Sequence, residues 1–507
     1  MESPLVLSIL VKHWPTCLVG AVILVRACAP QILEDADLIE RQTIGYARLT
    51  SPLSHLPGPE ISKWTSAVYN YHYLNKRAPV YIHALHQKYG PIVRVAPDHV
   101  DICDIKAVKE IHKTNGRFLK TNFYRKLVSG PVHNIFSTID PKFHAEHRRL
   151  LASPISDSSL TRLEPSIADR VGLTIRRMAE EQDARGAIDV FKWWLFMTSD
   201  IIGELSFGES FGMLESGKKN QYIFDLESLS SVGAILVTFP LLIKIARTLP
   251  LPFFKSTAEA GKRLGMYSAQ YVKQYQDQIS RNPSEAKPTL FTKLFNTEKS
   301  GMTFSDIRQE AQAYIVAGSD TTAVTLTYLT YHVCKNRQVK EKLLAELANV
   351  PEPVTDRSLR ELPYLSQVIS ETLRLYSAVP AGLPRLVPSE GATFNGFYIP
   401  GGLTAATQSY SLHRNPAIFP DPERFYPERW ESPTQEMKDA SLPFGGGSRI
   451  CLGIHLARIE LRLATALFYR TFPDARVSTQ EGMSDSDMEM AAVFLMAPKG
   501  HRCLIEV

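Results

Sequence analysis

Cysteine is scarce in this chain, which has six cysteines among 507 residues. They are Cys17, Cys28, Cys103, Cys334, Cys451 and Cys503. No two of them form the CxxC pair of a zinc or redox site, and their spacing suggests no disulfide framework. We therefore expect the folded part of the chain to face a reducing compartment. Runs of Lys and Arg are also absent, and the net charge of +5 is spread along the chain. This distribution argues against nucleic-acid binding.

A clean run of apolar residues is missing too, and the best candidate lies at the N-terminus. Residues 4–25 are mostly apolar but are interrupted by Lys12 and Pro15. A membrane-spanning helix needs about 20 mostly apolar residues. We interpret residues 1–30 as an imperfect but retained membrane anchor. A cleaved secretory signal fits less well because Glu2 is the only early charge, and a peripheral or buried helix is the third alternative.

The rest of the chain has the composition of a globular protein, with 44% hydrophobic and 21% charged residues. Residues 31–59 connect the N-terminal segment to this body and end in SPLSHLPGP. Because Pro57 and Pro59 fix the backbone on either side of a glycine, this stretch is either a stiff strap or an ordinary loop. We expect residues 60–507 to form one large domain.

Hydrophobic patterning predicts a mainly helical fold with small β-sheets, which is an α+β class. Alternating apolar and polar residues with many β-branched side chains predict a strand within residues 91–103. Helical periodicity dominates from about residue 140 to residue 385. Residues 393–402, TFNGFYIPGG, predict a short β-hairpin.

The stretch PFGGGSRICLG, residues 443–453, surrounds Cys451 with glycines and an arginine. A strong helical pattern follows, so the sulfur lies just before a helix N-terminus, whose positive end favours a thiolate. Backbone N–H groups and the Arg449 charge would also stabilise an anionic, metal-bound sulfur. The alternative is a buried structural cysteine beside a flexible loop. Five residues at fixed offsets argue against that alternative: Phe444, Gly447, Arg449, Cys451 and Gly453.

These five residues resemble the haem-binding signature of the cytochrome P-450 family, in which the same residue types recur at the same spacings. The resemblance implies that Cys451 is the thiolate axial ligand of haem b, a ligand that favours O–O cleavage. It implies further that Arg449 pairs with a haem propionate and that Phe444 packs beside the sulfur. The implied fold is a single haem-enclosing domain with a long central helix.

Residues 303–336 predict that long helix, beginning at a capping box of Thr303 and Asp306. Gly318 and Asp320 are unfavourable in an apolar helix, and such local penalties often accompany a site. A kinked helix with one polar face is the alternative. AGSDTT resembles the family's oxygen-activation motif. The resemblance implies that Thr321 hydrogen-bonds dioxygen at the haem, that Asp320 helps to deliver protons, and that Gly318 leaves room for the ligand.

Glu371 and Arg374 lie three residues apart in LPYLSQVISETLRLYSAVP. Periodicity alone makes them a solvated pair on the polar face of a helix, worth about 0.2 to 0.5 kcal/mol. However, ETLR resembles the family's Glu-x-x-Arg, and FYPER resembles the segment whose arginine completes a structural charge triad. The resemblance implies that Glu371, Arg374 and Arg429 tie together the region near the cysteine loop.

Two weaker resemblances concern further haem contacts. DPKFHAEHRRLL has two histidines but lacks the HExxH order and the third ligand of a zinc site. It resembles the family's Trp-x-x-x-Arg helix, with His144 in the tryptophan position and Arg148 one turn later, and this implies that both reach a propionate. A basic surface helix is the alternative. Arg385, between two prolines, resembles another propionate partner, although such an arginine is more often a charged loop residue.

The resemblance runs in order from Leu56 to the C-terminus and is particularly close to membrane-bound fungal members. It implies a monooxygenase that inserts one oxygen atom from O2 into an apolar small molecule. Fungal secondary metabolism is the favoured role, and detoxification and primary sterol chemistry are the alternatives. By family analogy, residues 312–316, 377–383 and 490–496 line an apolar substrate pocket. The chain has no flavin or nicotinamide motif, so the implied electron donor is NADPH-cytochrome P-450 reductase. The implied location is the endoplasmic reticulum membrane, with the catalytic domain in the cytosol.

Two other functions remain open from the sequence. One is a haem-thiolate isomerase or dehydratase that needs no reductase, and Asp320 and Thr321 argue against it because such chemistry needs no proton delivery to dioxygen. The other is a haem-binding sensor or carrier without turnover. Consumption of reduced nicotinamide linked to product would distinguish the three functions.

Overall fold

The computed structural model describes residues 52–128, 133–239, 252–281, 289–295 and 302–507. The predicted anchor, residues 1–30, lies outside these ranges, as do residues 31–51 of the connecting segment. Within the described ranges, every helix is too short or too polar to cross a membrane.

Helices dominate the described chain, and we number them α1 to α19. They are α1 Ala67–Leu74, α2 Ala78–Tyr89, α3 Ile105–Ile111, α4 Phe123–Leu127, α5 Pro141–Ala152, α6 Asp157–Leu160, α7 Glu164–Arg185, α8 Val190–Phe207, α9 Met213–Ser216, α10 Gln221–Thr238, α11 Pro252–Arg281, α12 Thr292–Phe295, α13 Phe304–Lys335, α14 Arg337–Leu347, α15 Asp356–Arg360, α16 Pro363–Leu375, α17 Ser409–Leu412, α18 Gln435–Ala440 and α19 Ile454–Thr471.

Short strands form four small sheets beside the helices. They are β1 Ile92–Ala96, β2 His99–Ile102, β3 Leu119–Lys120, β4 Ile188–Asp189, β5 Arg385–Leu386, β6 Ala392–Phe394, β7 Phe397–Ile399, β8 Thr404–Ala406, β9 Arg476–Val477, β10 Met490–Ala492, β11 Met496–Pro498 and β12 Leu504–Glu506. The largest sheet has the order β1-β2-β8-β5-β3, in which β2 and β8 are parallel and the other neighbours are antiparallel. The others are β4-β12-β9, β6-β7 and β10-β11.

The predicted β-structure is present at both positions. Residues 91–103 form two paired strands, β1 and β2, rather than one. The hairpin predicted in residues 393–402 is β6-β7, and its two turn residues, Asn395 and Gly396, have φ of 46° and 80°. Positive φ at both central residues is what a tight two-residue hairpin turn requires.

The central helix α13 is the core of the helical part, as the sequence predicts. It begins at the predicted capping box, in which the Thr303 hydroxyl accepts from Asp306 N and the Asp306 carboxylate accepts from Thr303 N. It packs against α8 and α19, and α8 is buried on nearly all sides. A Cβ on Gly318 would lie 2.8 Å from Ile202 Cγ1 of α8. Gly318 is therefore required for close packing of α13 on α8, and the ligand room that the resemblance implies stays a prediction.

The proline-rich stretch packs against the largest sheet. Arg94 of β1 is fully buried, and its Nη1 donates to the carbonyls of Leu53 and Leu56 at 2.8 and 2.7 Å. Arg94 N donates to Pro57 O at 2.8 Å, and a Cβ on Gly58 would lie 2.6 Å from Arg94 O. The stretch is thus packed on the sheet, and its role as a strap between the anchor and the body stays a prediction. The domain boundary at residue 60 stays a prediction.

Candidate functional site

Cys451 lies in a tightly organised loop before α19. A short 3-10 turn, Gly447–Arg449, precedes it, and Gly453 is the N-cap of the helix. Cys451 N donates to Phe444 O at 2.9 Å, which closes the loop. Cys451 is exposed by its accessible surface, yet protein atoms surround it on most sides. The sulfur is therefore accessible from within the protein and not from its outer surface.

The surroundings of the thiol differ in part from the sequence expectation. Burial raises the pKa of the Cys451 thiol, whereas the Gly453 backbone N–H and the Arg148 guanidinium lower it. The N–H that favours the thiolate thus belongs to Gly453, the N-cap of α19, and not to the three glycines before Cys451. The cation that acts on the sulfur is Arg148, whose Nη1 also donates to Ile450 O at 2.9 Å. Arg449, which was expected in that role, donates instead to Thr138 O at 3.3 Å.

Gly447 is required by a close approach of two backbone segments. Its φ is 60°, and a Cβ built there would lie 1.7 Å from His112 O. The chain after α3 is joined to the same turn because Asn115 N donates to Ser448 Oγ at 3.1 Å. The third glycine of the sequence motif thus brings the cysteine loop against residues 112–116.

We expect Gly447→Ala to destabilise the protein severely and to reduce its haem content. The control is Gly482→Ala, because Gly482 has a similar φ of 68° and no atom within 4 Å of its added Cβ. Left-handed strain alone should cost the control about 1 to 2 kcal/mol, and overpacking should add about 1 to 3 kcal/mol or more at Gly447. Thermal unfolding and haem absorbance measure both effects. Equal losses in the two variants would contradict the close-approach argument.

Four cationic side chains converge beside this loop, and we call Lys120, Arg148, Arg385 and Arg449 the basic cluster. Lys120 of β3 lies directly opposite Arg385 of β5 in the antiparallel register, and both are buried. Like charges in that relation repel each other. None of the four forms an ion pair with a carboxylate in the described part of the chain. Burial lowers the pKa of Lys120 well below its ordinary value, and Arg385 and Arg449 lower it further.

The hydrogen-bond partners of the basic cluster are neutral groups, and one carboxylate, Asp140, acts electrostatically on Arg449 without forming an ion pair with it. Arg385 Nη1 donates to the Tyr124 hydroxyl at 2.8 Å, and Lys120 Nζ donates to Phe136 O at 2.5 Å. His144 is buried beside the cluster, where burial, Arg449, Arg148 and Lys120 lower its pKa to about 3. The cluster therefore holds an excess of positive charge that the surrounding protein does not neutralise.

The central helix presents accessible residues to the same region. Ala317 is exposed in the middle of α13, and Thr321 one turn later is half-buried. The Thr321 hydroxyl donates to Ala317 O at 2.7 Å. Tyr314 lies close enough to Cys451 for the thiolate to help raise the pKa of the Tyr314 hydroxyl, after burial and Glu310. The part of α13 that approaches Cys451 is therefore the turn directly before the AGSDTT segment.

The three residues of the predicted charge triad lie together. Arg374 Nε and Nη2 donate to the two oxygens of Glu371 at 2.8 and 2.9 Å, and Arg429 Nε donates to Glu371 Oε1 at 3.0 Å. Glu371 and Arg374 are completely buried, so the solvated pair that periodicity predicts is wrong. Tyr426 N and Trp430 Nε1 also donate to Glu371, at 2.9 Å each.

Comparison with known proteins identifies a family in which a cysteine loop, a basic cluster and a buried charge triad are expected together. The family model for cytochrome P-450 matches residues 58–505. The chain is 50% identical to cytochrome P-450 monooxygenase tazI of Aspergillus terreus, over 91% of this chain and 95% of that protein. It is 48% identical to monooxygenase orf2 of Aspergillus niger, over 92% and 95%, and 35% identical to monooxygenase stcB of Emericella nidulans, over 93% and 91%.

The chain belongs to the cytochrome P-450 family. Its fold is the P-450 fold, its cofactor is haem b, and its activity is monooxygenation with electrons from a redox partner. Haem b supplies the iron at which P-450 enzymes activate dioxygen. The basic cluster fits this cofactor because the two propionates carry the negative charge that the cluster lacks, and the accessible Cys451 sulfur would be available as a thiolate ligand.

Several residues of this P-450 site carry no sequence motif that we recognised. Lys120 joins the basic cluster through the register of β3 with β5, and Tyr124 of α4 meets the cluster as the acceptor of a hydrogen bond from Arg385. His413 connects two parts of the site, because Leu442 N donates to its Nε2 at 2.9 Å and its Nδ1 bonds to Arg374 O at 2.7 Å. It thus links the charge triad to the start of the cysteine loop.

Proposed function

We propose that this P-450 oxidises an apolar intermediate of a fungal secondary metabolite. The observation that carries the proposal is an apolar stripe on α13, in which Ala313 and Val316 are half-buried and Ala317 is exposed, next to Tyr314, on which Cys451 acts electrostatically. Aliphatic side chains without charges favour a hydrophobic substrate of natural-product size.

The other two predicted pocket segments lie next to each other. Met496 N donates to Ala378 O at 2.9 Å, which joins the β10-β11 hairpin to residues 377–383. At the hairpin tip, the Phe494 ring packs against Phe136 with centroids 5.6 Å apart. These contacts support an apolar wall opposite the central helix.

Metabolite profiling of a strain that lacks this protein tests the substrate class. We expect a hydrophobic precursor to accumulate that differs from the missing product by an oxygen atom or by hydrogens. Purified protein with a reductase and NADPH should convert this precursor. Accumulation of a small charged metabolite instead would contradict the proposal.

We further propose that Cys451 ligates the haem iron and that the basic cluster binds the propionates. Charge-assisted hydrogen bonds to the propionates would come from Arg385, Arg449, Arg148 and Lys120. His144 is less suited to bind an anion as a cation, because its low pKa keeps it neutral. It can still donate one neutral hydrogen bond.

We propose that Thr321 and Asp320 take part in the delivery of protons to dioxygen. Since the Thr321 hydroxyl donates to Ala317 O, its oxygen lone pairs are left to accept a hydrogen bond from a water molecule or a protonated group. Asp320, half-buried one residue earlier, would hand protons to that position. Thr321 thus acts as the acceptor that holds a proton donor in place.

Thr321→Ala should keep the haem spectrum and lower the ratio of product to peroxide by at least about tenfold, because proton delivery is disrupted. Thr327→Ala is the matched control, since Thr327 makes the same kind of bond, to Ala323 O at 2.7 Å, at a fully buried position. Measuring NADPH consumed, product formed and peroxide released gives the ratio. Equal ratios in the two variants would exclude Thr321 from the mechanism.

We also propose that residues 1–30 hold the protein on the endoplasmic reticulum membrane with the catalytic domain in the cytosol. The support is that residues 4–25 are mostly apolar and that Arg26 follows them directly. A membrane-bound NADPH-cytochrome P-450 reductase would then supply the electrons. Cell fractionation of the full chain tests this, and recovery in the soluble fraction would count against the anchor.

A further inference from the structure

Glu310 lies near the start of α13 and is a completely buried glutamate that the proposed chemistry does not use. Its Oε1 accepts a hydrogen bond from Ile135 N at 2.8 Å and pairs with His147 Nδ1 of α5 at 2.9 Å. Its Oε2 has no hydrogen-bond partner within the described ranges. A buried carboxyl is costly unless its bonds compensate the lost hydration. The two bonds at Oε1 therefore show what this residue holds, which is α5 and the segment before it.

Ile135 belongs to a tight turn, residues 134–138, that is closed on itself. Asn134 Oδ1 accepts from Phe136 N at 3.1 Å and from Ser137 N at 2.8 Å. Asn134 N in return donates to Ser137 Oγ at 3.1 Å. Because these bonds join the residues of the turn to one another, a bond that fixes Ile135 also fixes the rest of the turn.

Two cations of the basic cluster hold the same turn at other points. Lys120 Nζ donates to Phe136 O at 2.5 Å, and Arg449 Nη1 donates to Thr138 O at 3.3 Å. Glu310 adds the attachment to the central helix. The turn is thus fixed from the basic cluster on one side and from α13 on the other.

The Phe136 ring is the part of this turn that belongs to the apolar wall. It is half-buried, and it packs against Phe494 at the tip of the β10-β11 hairpin, with centroids 5.6 Å apart. Lys120 Nζ lies 4.6 Å from the centroid of the same ring. The ring therefore stands where the hairpin meets the basic cluster, and its place depends on the place of the turn.

We propose that Glu310 is a positioning residue for substrate selection, which holds Ile135 N and thereby keeps the Phe136 ring in the apolar wall. This inference rests on the proposed function, because it takes Phe136 as part of the wall that contacts the substrate. Glu310 acts as a hydrogen-bond acceptor in this role, and Oε1 alone provides the acceptor.

The test uses the full-length, haem-loaded protein and two probes, imidazole and 4-phenylimidazole. The nitrogen of each probe binds the haem iron and shifts the Soret band, which gives a Kd. Imidazole lacks the phenyl ring that packs on an apolar wall, so the ratio of the two Kd values measures that packing. Hydrogen exchange of the amides of residues 134–138 is measured on the same samples and follows the turn itself.

We expect Glu310→Met to lower the preference for 4-phenylimidazole about three- to tenfold, the size of one aromatic contact. Exchange of the turn should accelerate about tenfold, because the Ile135 N–H loses its acceptor. Glu310→Gln should keep the wild-type ratio and exchange, since its carbonyl oxygen replaces Oε1. His147→Phe should keep them too, because the bond from Ile135 N remains.

Asp200→Leu is the control for the loss of a buried carboxylate that holds backbone N–H groups. Asp200 is completely buried and accepts from Met213 N at 3.2 Å and from Leu214 N at 2.9 Å. We expect this variant to lower Tm without changing the Kd ratio or the exchange of residues 134–138.

Wild-type exchange of the turn in Glu310→Met would overturn the proposal. Losses in Glu310→Gln or His147→Phe as large as in Glu310→Met would also overturn it, because the bond between Oε1 and Ile135 N would then not be the cause. If Glu310→Met does not load haem, Glu310→Asp decides, since it withdraws the carboxylate by one methylene and should change both readouts in the same direction.

Phe136→Ala separates this inference from the proposed function. A lowered preference for 4-phenylimidazole in this variant supports the apolar wall. An unchanged ratio would mean that the wall at Phe136 fails and that Glu310 does not act in substrate selection, whereas accelerated exchange in Glu310→Met would still show that Glu310 holds the turn.

Discussion

Replacing Cys451 by alanine is expected to abolish the red-shifted Soret band of the reduced carbon monoxide complex, and all turnover with it. That band requires a thiolate ligand, and of the four cysteines in the described ranges Cys451 is the exposed one. Its backbone N–H is bonded to Phe444 O, and the Gly453 N–H approaches its sulfur. Alanine keeps the loop short and apolar but supplies no ligand.

Cys503→Ala is the matched control for this change. Cys503 is completely buried near the C-terminus, and burial together with Asp189 raises the pKa of its thiol well above the ordinary value. We expect the control to keep the full band, since a protonated buried thiol takes no part in ligation. A red-shifted band that survives in Cys451→Ala, or disappears in Cys503→Ala, would contradict the ligand assignment.

Sequence reasoning predicts best those features of the fold that depend on residues close together in the chain. The capping box of Thr303 and Asp306, the turn at Asn395 and Gly396 and the helix after Cys451 all depend on residues within a few positions of one another. Such features follow from backbone preference and hydrogen bonding to neighbours, so the chain determines them without help from tertiary contacts.

Glu371 and Arg374 show where periodicity fails. They lie on the polar face of α16, and a pattern read within the helix makes that face solvent-exposed. In the fold, the segment from His413 to Trp430 covers it, and the Arg374 guanidinium bonds to His413 O and Pro422 O at 2.7 Å each. A local pattern contains no information on which distant segment covers a helix face.

Lys120 illustrates a further reason why sequence reasoning misses a site residue, and Glu460 illustrates a signal that it can use. The place of Lys120 depends on strand register with residue 385, which a two-residue strand does not reveal in sequence. Glu460, in contrast, had a readable signal. It falls on the same helical stripe as Leu456 and Leu463, so a charged residue stands in the apolar face of α19. An acid in such a stripe is a candidate for a buried, neutral role.

Glu371→Gln is expected to prevent accumulation of folded, haem-loaded protein. The change removes the one negative charge between two buried guanidiniums, and breaking a buried ion pair in this way costs about 3 to 5 kcal/mol. Domains are stable by only about 5 to 15 kcal/mol, so most of the margin is lost. The glutamine also cannot accept from all of the donors that converge on Glu371, and each donor left unpaired adds to the cost.

Glu341→Gln tests whether burial, rather than the loss of any glutamate, causes this effect. Glu341 pairs with Arg337 at 2.6 Å on the surface, with side chains 55% and 89% exposed. Exposed pairs one helical turn apart contribute about 0.3 to 0.5 kcal/mol, so this control should express and unfold like the wild type.

Arg374→Lys should resemble Glu371→Gln, because an ammonium cannot replace a bidentate guanidinium that also bonds to backbone carbonyls. Yield, haem absorbance and Tm measure all three variants. Wild-type values in Glu371→Gln would mean that the charge triad is dispensable and that the carbonyls around Arg374 compensate its charge alone.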